Sequence, residues 1–210
     1  MTHTEHEISA TRREVQTRAI DGRQAHVVRL TRAYETSVED LWSACTDAER
    51  IPRWLLPISG ELRAGGHYQL EGNAGGTITR CDPPRHLAAS WEYGGSVSWI
   101  ELTLTPRSPG VTELVLEHIS HVEDDEKWAT FGPGAVGVGW ELMLKALADH
   151  LASGAALDHH HAHEWMASEA GRQFMTHSAQ GWMTADIHAG ADADRARNAA
   201  EQTTAFYTGA

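Results

Sequence analysis

The sequence predicts an α+β fold, an antiparallel sheet combined with one long helix and further helices after it, on three observations. From Ser59 to Ser120 apolar residues recur at every second position in runs broken by Gly, Pro and Asn, the signature of strands with one buried and one wet face. Val136, Trp140, Leu144, Leu147 and Leu151 then fall at i, i+4, i+8, i+11 and i+15, a single helical stripe. Beyond Gly154 come three more amphipathic stretches, each carrying aromatic residues.

Residues 1–11 are polar and read as a loose end. Arg13 to Ala19 alternates weakly, and Asp21-Gly22 leads into a stronger strand, Ala25–Tyr34. Asp-Gly between two extended runs predicts a tight hairpin, because both turn positions favour φ > 0. Ser37 is placed to cap a helix from Val38, with Leu41, Trp42 and Cys45 at helical spacing, and Asp47 to cap a short second helix that Pro52 either disturbs or ends. The meander then reads as strands 59–63, 66–71, 76–82, 86–94, 97–106 and 111–120. Within it Leu87, Ala89, Trp91 and Tyr93 share a face, as do Ile100, Leu102 and Leu104, and Leu114, Leu116 and His118. Residues 121–134 read as an acidic loop before the long helix. After Gly154, Asp158 is expected to start a helix carrying Trp165 and Phe174. Ser178 is expected to start one with Trp182, Met183 and Ile187. Asp192 is expected to cap one with Ala196, Ala200, Thr203 and either Phe206 or Tyr207 on one face.

The net charge of −12 opposes binding to nucleic acid or to an anionic membrane surface, both of which call for a surplus of Lys and Arg. No apolar run reaches the roughly 20 residues of a membrane span. The start, Met-Thr-His-Thr-Glu-His-Glu, has neither a basic segment nor an apolar one, so it does not read as a signal peptide. Cys45 and Cys81 form no metal or disulfide pattern. A cytoplasmic location is expected.

The order of landmarks carries a resemblance. Val38-Glu-Asp-Leu-Trp-Ser-Ala-Cys-Thr-Asp leads to Ile51-Pro-Arg-Trp-Leu, then Arg63-Ala-Gly-Gly-His-Tyr and Gly76-Thr-Ile-Thr-Arg-Cys-Asp-Pro-Pro-Arg-His-Leu. Trp91-Glu-Tyr, Thr112-Glu-Leu-Val-Leu-Glu-His and Gly139-Trp140 follow. This order resembles the family of homologues of the activator of heat-shock-protein-90 ATPase, within the SRPBCC superfamily that includes START proteins and polyketide cyclases. The resemblance implies a helix-grip domain over 12–152, a sheet wrapped around a long terminal helix, with 153–210 as a helical extension outside the family pattern. Aromatic stripes of that kind are expected to pack on the domain or on a second copy, or to serve a protein partner.

A bent sheet gripping a helix leaves a wedge that is hard to fill, and the chain has eight tryptophans. A cavity is expected, lined by Trp54, Tyr68, Ile78, Arg80, Trp91, Ile100, Leu102, His118, Trp140 and Leu144, mostly apolar with a few polar groups. Arg80 is placed beside Ile78 and His118 beside Leu116, where a guanidinium suits a carboxylate and an imidazole can orient a ligand or act as a general base. The plainer reading makes both structural, paired with Glu92, Glu101 or Glu117. His159 and His163 sit at i and i+4 but lack a fixed third ligand, with Glu164 and His177 the available partners, so a solvated helix start is expected rather than a metal site. Gly132-Pro-Gly-Ala-Val-Gly-Val-Gly-Trp140 lacks the Gly-Lys-Ser/Thr of a phosphate loop and reads as glycines that permit close packing or a lid. No nucleophile stands out. The reading is therefore a non-enzymatic protein that binds a small, largely apolar molecule, with no cofactor, metal or catalytic residue assigned. The resemblance also implies two rivals: a cyclase- or hydrolase-like enzyme using the same cavity, and a protein-partner module like the chaperone activators.

Overall fold

The computed structural model describes residues 9–209. Most of the segment expected to be loose thus lies outside the described residues; Thr11 already opens the first strand. The strands are β1 (Thr11–Ile20), β2 (Arg23–Tyr34), β3 (Ile58–Gly60), β4 (His67–Leu70), β5 (Gly75–Asp82), β6 (His86–Tyr93), β7 (Ser96–Ser108) and β8 (Val111–His121). They form one sheet in the order β1-β2-β8-β7-β6-β5-β4-β3. The helices are α1 (Val38–Thr46), α2 (Trp128–Phe131), α3 (Gly134–Ser153), α4 (His159–Ala167), α5 (Glu169–His188) and α6 (Ala193–Thr208). This is the α+β, helix-grip order of elements with helices added at the C-terminal end. Among the described residues no helix is long and apolar enough to cross a membrane.

The chain divides into two compact units, and both β2 and α3 contribute to each of them. The first comprises the residues up to Leu30, His121–Leu142 and Asp158–Ala210. Its β1–β2 turn is the tight hairpin that Asp21-Gly22 predicts, with φ of 51° and 79°. Residues 158–209 do not stand alone. In the same unit as β1 and the start of α3, they bury Phe174 and Trp182, each contributing on the order of 2–3 kcal/mol. Alanines 196, 199 and 200 are buried on the α6 face that packs on α5. Thr203 Oγ1 donates to Phe131 O at 2.9 Å, and Tyr207 Oη to Ala135 O at 3.0 Å.

Two helix expectations are corrected here, and one open choice is decided. The helix starting at Asp158 ends at Ala167, where Ser168 caps a new helix by accepting from the Gly171 N–H. Phe174 therefore belongs to α5. Ser178 lies inside α5, fully buried, and its Oγ donates to Glu141 Oε1 at 2.8 Å. Phe206 is not buried but 69% exposed; Tyr207, the other candidate, turns inward because its hydroxyl finds the Ala135 carbonyl. The acidic loop also holds a short helix, α2, whose Trp128 stacks on His26 with ring centroids 3.8 Å apart.

A buried ion pair organises the first unit. Arg13 Nε donates to Glu141 Oε1 at 2.7 Å and Nη2 to Oε2 at 2.5 Å, a two-bond fork. A Cβ on Gly181 would lie 2.9 Å from Arg13 Nε, so the glycine leaves room for the guanidinium. The glycines at the start of α3 serve close packing as well. A Cβ on Gly137 would come within 2.3 Å of Cε2 of Trp182, whose side chain is fully buried and cannot retreat. Gly137→Ala gains up to about 1 kcal/mol of helix propensity. Overpacking costs on the order of 1–3 kcal/mol, so a net lowering of the unfolding midpoint in urea is expected, and a stabilised variant would mean that the indole has room.

The second unit, Thr31–Ser120 with Met143–Leu157, holds the meander. Ser37 caps α1 by accepting from the Asp40 N–H at 3.2 Å. Pro52 sits in a single 3-10 turn, Ile51–Arg53. After α3, Arg53 Nη2 donates to Gly154 O at 2.5 Å, and Leu157 N to Arg53 O at 2.7 Å. A β-bulge interrupts the β5–β6 ladder: Ile78 opposes Ala89, but Arg80 opposes Ala88.

Candidate functional site

The candidate site is one face of the sheet in the second unit. Directly opposed residues of an antiparallel pair share a face. His118 on β8 opposes Ile100 on β7, Ile100 opposes Ala89 on β6, and Ala89 opposes Ile78 on β5. Leu116, Leu102, Leu87 and Cys81 form a parallel row, and Tyr68, opposite Gly76, continues the face onto β4. Ile51, Tyr68, Leu70, Ile78 and Ala89 make a buried cluster, against which Leu55, Leu56, Leu62, Leu87, Trp91 and Ile100 pack while only partly buried.

The structure thus brings together Tyr68, Ile78, Trp91, Ile100, Leu102 and His118. Trp54 is buried in the same unit, with Nε1 donating to Ala44 O at 2.8 Å, which ties the 3-10 turn to α1. Leu144 is buried too, and its carbonyl accepts from Tyr34 Oη at 3.1 Å. Trp140 is buried in the first unit.

Arg80 is misplaced by simple alternation. The bulge at 78–80 advances the phase of β5 by one residue, so that Cys81 joins the face of Ile78 while Arg80 turns to the face of Glu101 and Glu117. There Arg80 is exposed, and its Nε donates to Asp82 Oδ2 at 2.5 Å.

Three titratable groups of the inward face, His118, Tyr68 and Cys81, are shifted toward their neutral forms. His118 is buried, and burial lowers its imidazole to about 4. Tyr68 Oη donates to Ser90 O at 2.8 Å, and burial first, then the charge of Glu92, raises its phenol. Burial raises Cys81 as well, and pushes Cys45 on α1 up to about 12, which makes the latter thiol a poor nucleophile. Gly76 belongs to this construction. A Cβ there would meet Ser90 O at 2.2 Å, the same carbonyl that Tyr68 binds.

The His tract opens α4, where Asp158 accepts from the N–H groups of His160 and His161 and caps the helix. His159, His161 and His163 are exposed, and His160 Nε2 lies 3.6 Å from Glu164 Oε1. Alternation placed Leu87 on the right face without marking it as a lining residue. Leu55 and Leu56 went unmarked because they lie outside any strand, where no period points to a face, and Leu62, read as part of a strand over 59–63, lies beyond the end of β3.

A protein-family model described as "Activator of Hsp90 ATPase homolog 1-like protein" matches residues 35–152. The crystal structure of CalU16 from Micromonospora echinospora is 34% identical, with a TM-score of 0.68, over 84% of this chain and 98% of that one. Its solution structure gives 33% identity and a TM-score of 0.70, over 86% and 97%. DynU16, from the dynemicin biosynthetic locus, shares the fold at 20% identity and a TM-score of 0.56, over 62% of this chain and 48% of that one. No curated protein matches.

Proposed function

We propose that this chain, which belongs to the Activator of Hsp90 ATPase homolog 1-like family, binds a small, largely apolar molecule on the inward sheet face of its second unit. The observation that carries this reading is the set of large apolar side chains that pack on the Tyr68–Ile78–Ala89 cluster without being enclosed: Leu55, Leu56, Leu62, Leu87, Trp91 and Ile100. Each partly exposed apolar side chain forgoes part of its roughly 2 kcal/mol, and six of them packed on one cluster are the kind of grouped apolar surface that marks ligand-binding sites. Tyr68, whose hydroxyl is already taken up by Ser90, serves as wall.

A hydrophobic fluorescent probe is expected to bind the folded protein at one equivalent. Trp91→Ala removes the largest partly buried group and should weaken binding roughly tenfold, the equivalent of about 1.4 kcal/mol, while unfolding stays cooperative. A probe that binds only after acid or heat treatment would mean that the face is sealed in the native state and that the proposal is wrong.

A further inference from the structure

We infer that the molecule accepted on this face is uncharged, and that the face discriminates against both carboxylates and ammonium groups of otherwise suitable shape. The inference rests on the proposed binding reading and narrows its ligand class.

The strands of the site carry charged residues, but the register sends them to the other face. Glu101 opposes Glu117 and Ala88, and Ala88 opposes Arg80, so these share a face. Arg80 is engaged there by Asp82, and His86 Nε2 lies 3.7 Å from Glu101 Oε2. Glu92 accepts from Ser90 Oγ at 2.8 Å, also one step out of phase with Ala89 and Trp91. Among the described residues of the inward face none of β4 to β8 is an Asp, Glu, Lys or Arg. The bulge is the device that achieves this, since uninterrupted alternation would aim Arg80 inward beside Ile78. His118, Tyr68 and Cys81 on this face are shifted toward their neutral forms. An ion placed against such a wall loses hydration and gains no counter-charge, whereas a hydroxyl or carbonyl loses far less.

The test uses three probes with one ring system, 2-naphthol, 2-naphthoate and 2-naphthylmethylammonium, at about pH 7, where they are neutral, anionic and cationic. Binding to the full chain is titrated in moderate salt, so that the surface charge of −12 does not by itself repel the anion. 2-Naphthol should bind about tenfold or more tighter than either ion. Either ion binding as tightly as 2-naphthol overturns the inference and leaves the apolar reading standing. Saturable binding by none of the three defeats the binding reading and the inference with it. Cys81 holds the inward place that the bulge denies to Arg80, at the half-buried margin of the cluster. Cys81→Arg should therefore narrow the gap between naphthol and naphthoate, and an unchanged ratio in the folded variant counts against the inference. The wild-type ratios decide the matter if that variant does not fold.

Discussion

Glu141→Gln is expected to lower the unfolding free energy by about 3–5 kcal/mol, the range for removing one partner of a buried ion pair. Glu141 is 1% exposed and receives three hydrogen bonds, two from the Arg13 fork and one from Ser178. The amide replaces a charged acceptor with a neutral one and turns a donor toward groups that themselves donate, so Arg13 loses the charge of Glu141 at both ends of the fork. The pair is not expected to be worth that sum in its favour. Burying two ions costs several kcal/mol, and an apolar replacement of both can be neutral. Arg13→Met combined with Glu141→Met should consequently lose less than the two single changes added together. Denaturant titrations of the wild type and the four variants measure this directly, and a Glu141→Gln loss under about 1 kcal/mol would show that the fork carries little of the unit's stability.

Acidification should destabilise the protein through His118. Its folded value, about 4, lies below the ordinary 6.5, so the folded state refuses a proton that the unfolded chain accepts. The stability it contributes is fully present above pH 6.5, is lost as the pH falls toward 4, and changes little below that. The gap corresponds to about 3 kcal/mol. Carboxylates elsewhere titrate near the lower end of that window, so the comparison is made with His118→Gln. The wild type should lose about 3 kcal/mol more than the variant between neutral pH and pH 4. Parallel stability curves would mean that His118 takes up its proton in the folded state as readily as in the unfolded chain, and an imidazole that charges so readily would also weaken the case for a neutral ligand face.

These predictions differ in how far they could be read before the fold was known. His118 was placed inward by alternation along Leu114, Leu116 and His118, and the register confirms that face. Glu141 carried no such mark. It adjoins Trp140 in an apolar helix, and its partners, Arg13 and Ser178, lie 128 and 37 residues away. No local pattern connects positions so distant, and Ser178 instead carried the false mark of a helix cap.

Local chemistry determined what could be read locally. Strand alternation in the meander, the stripe of α3, the Asp21-Gly22 turn and the caps at Ser37, Asp158 and Asp192 each depend on residues within a few positions of one another, and all are present in the fold. Tertiary structure alone decided which way Arg80 points, because a bulge is a property of two paired strands and β5 by itself reads as uninterrupted alternation. It also decided between Phe206 and Tyr207, neighbours on one helix whose choice depends on a carbonyl at Ala135. Partners remote in sequence select among conformations that local propensity leaves nearly equal in energy, and those selections settle which side chains the candidate face presents.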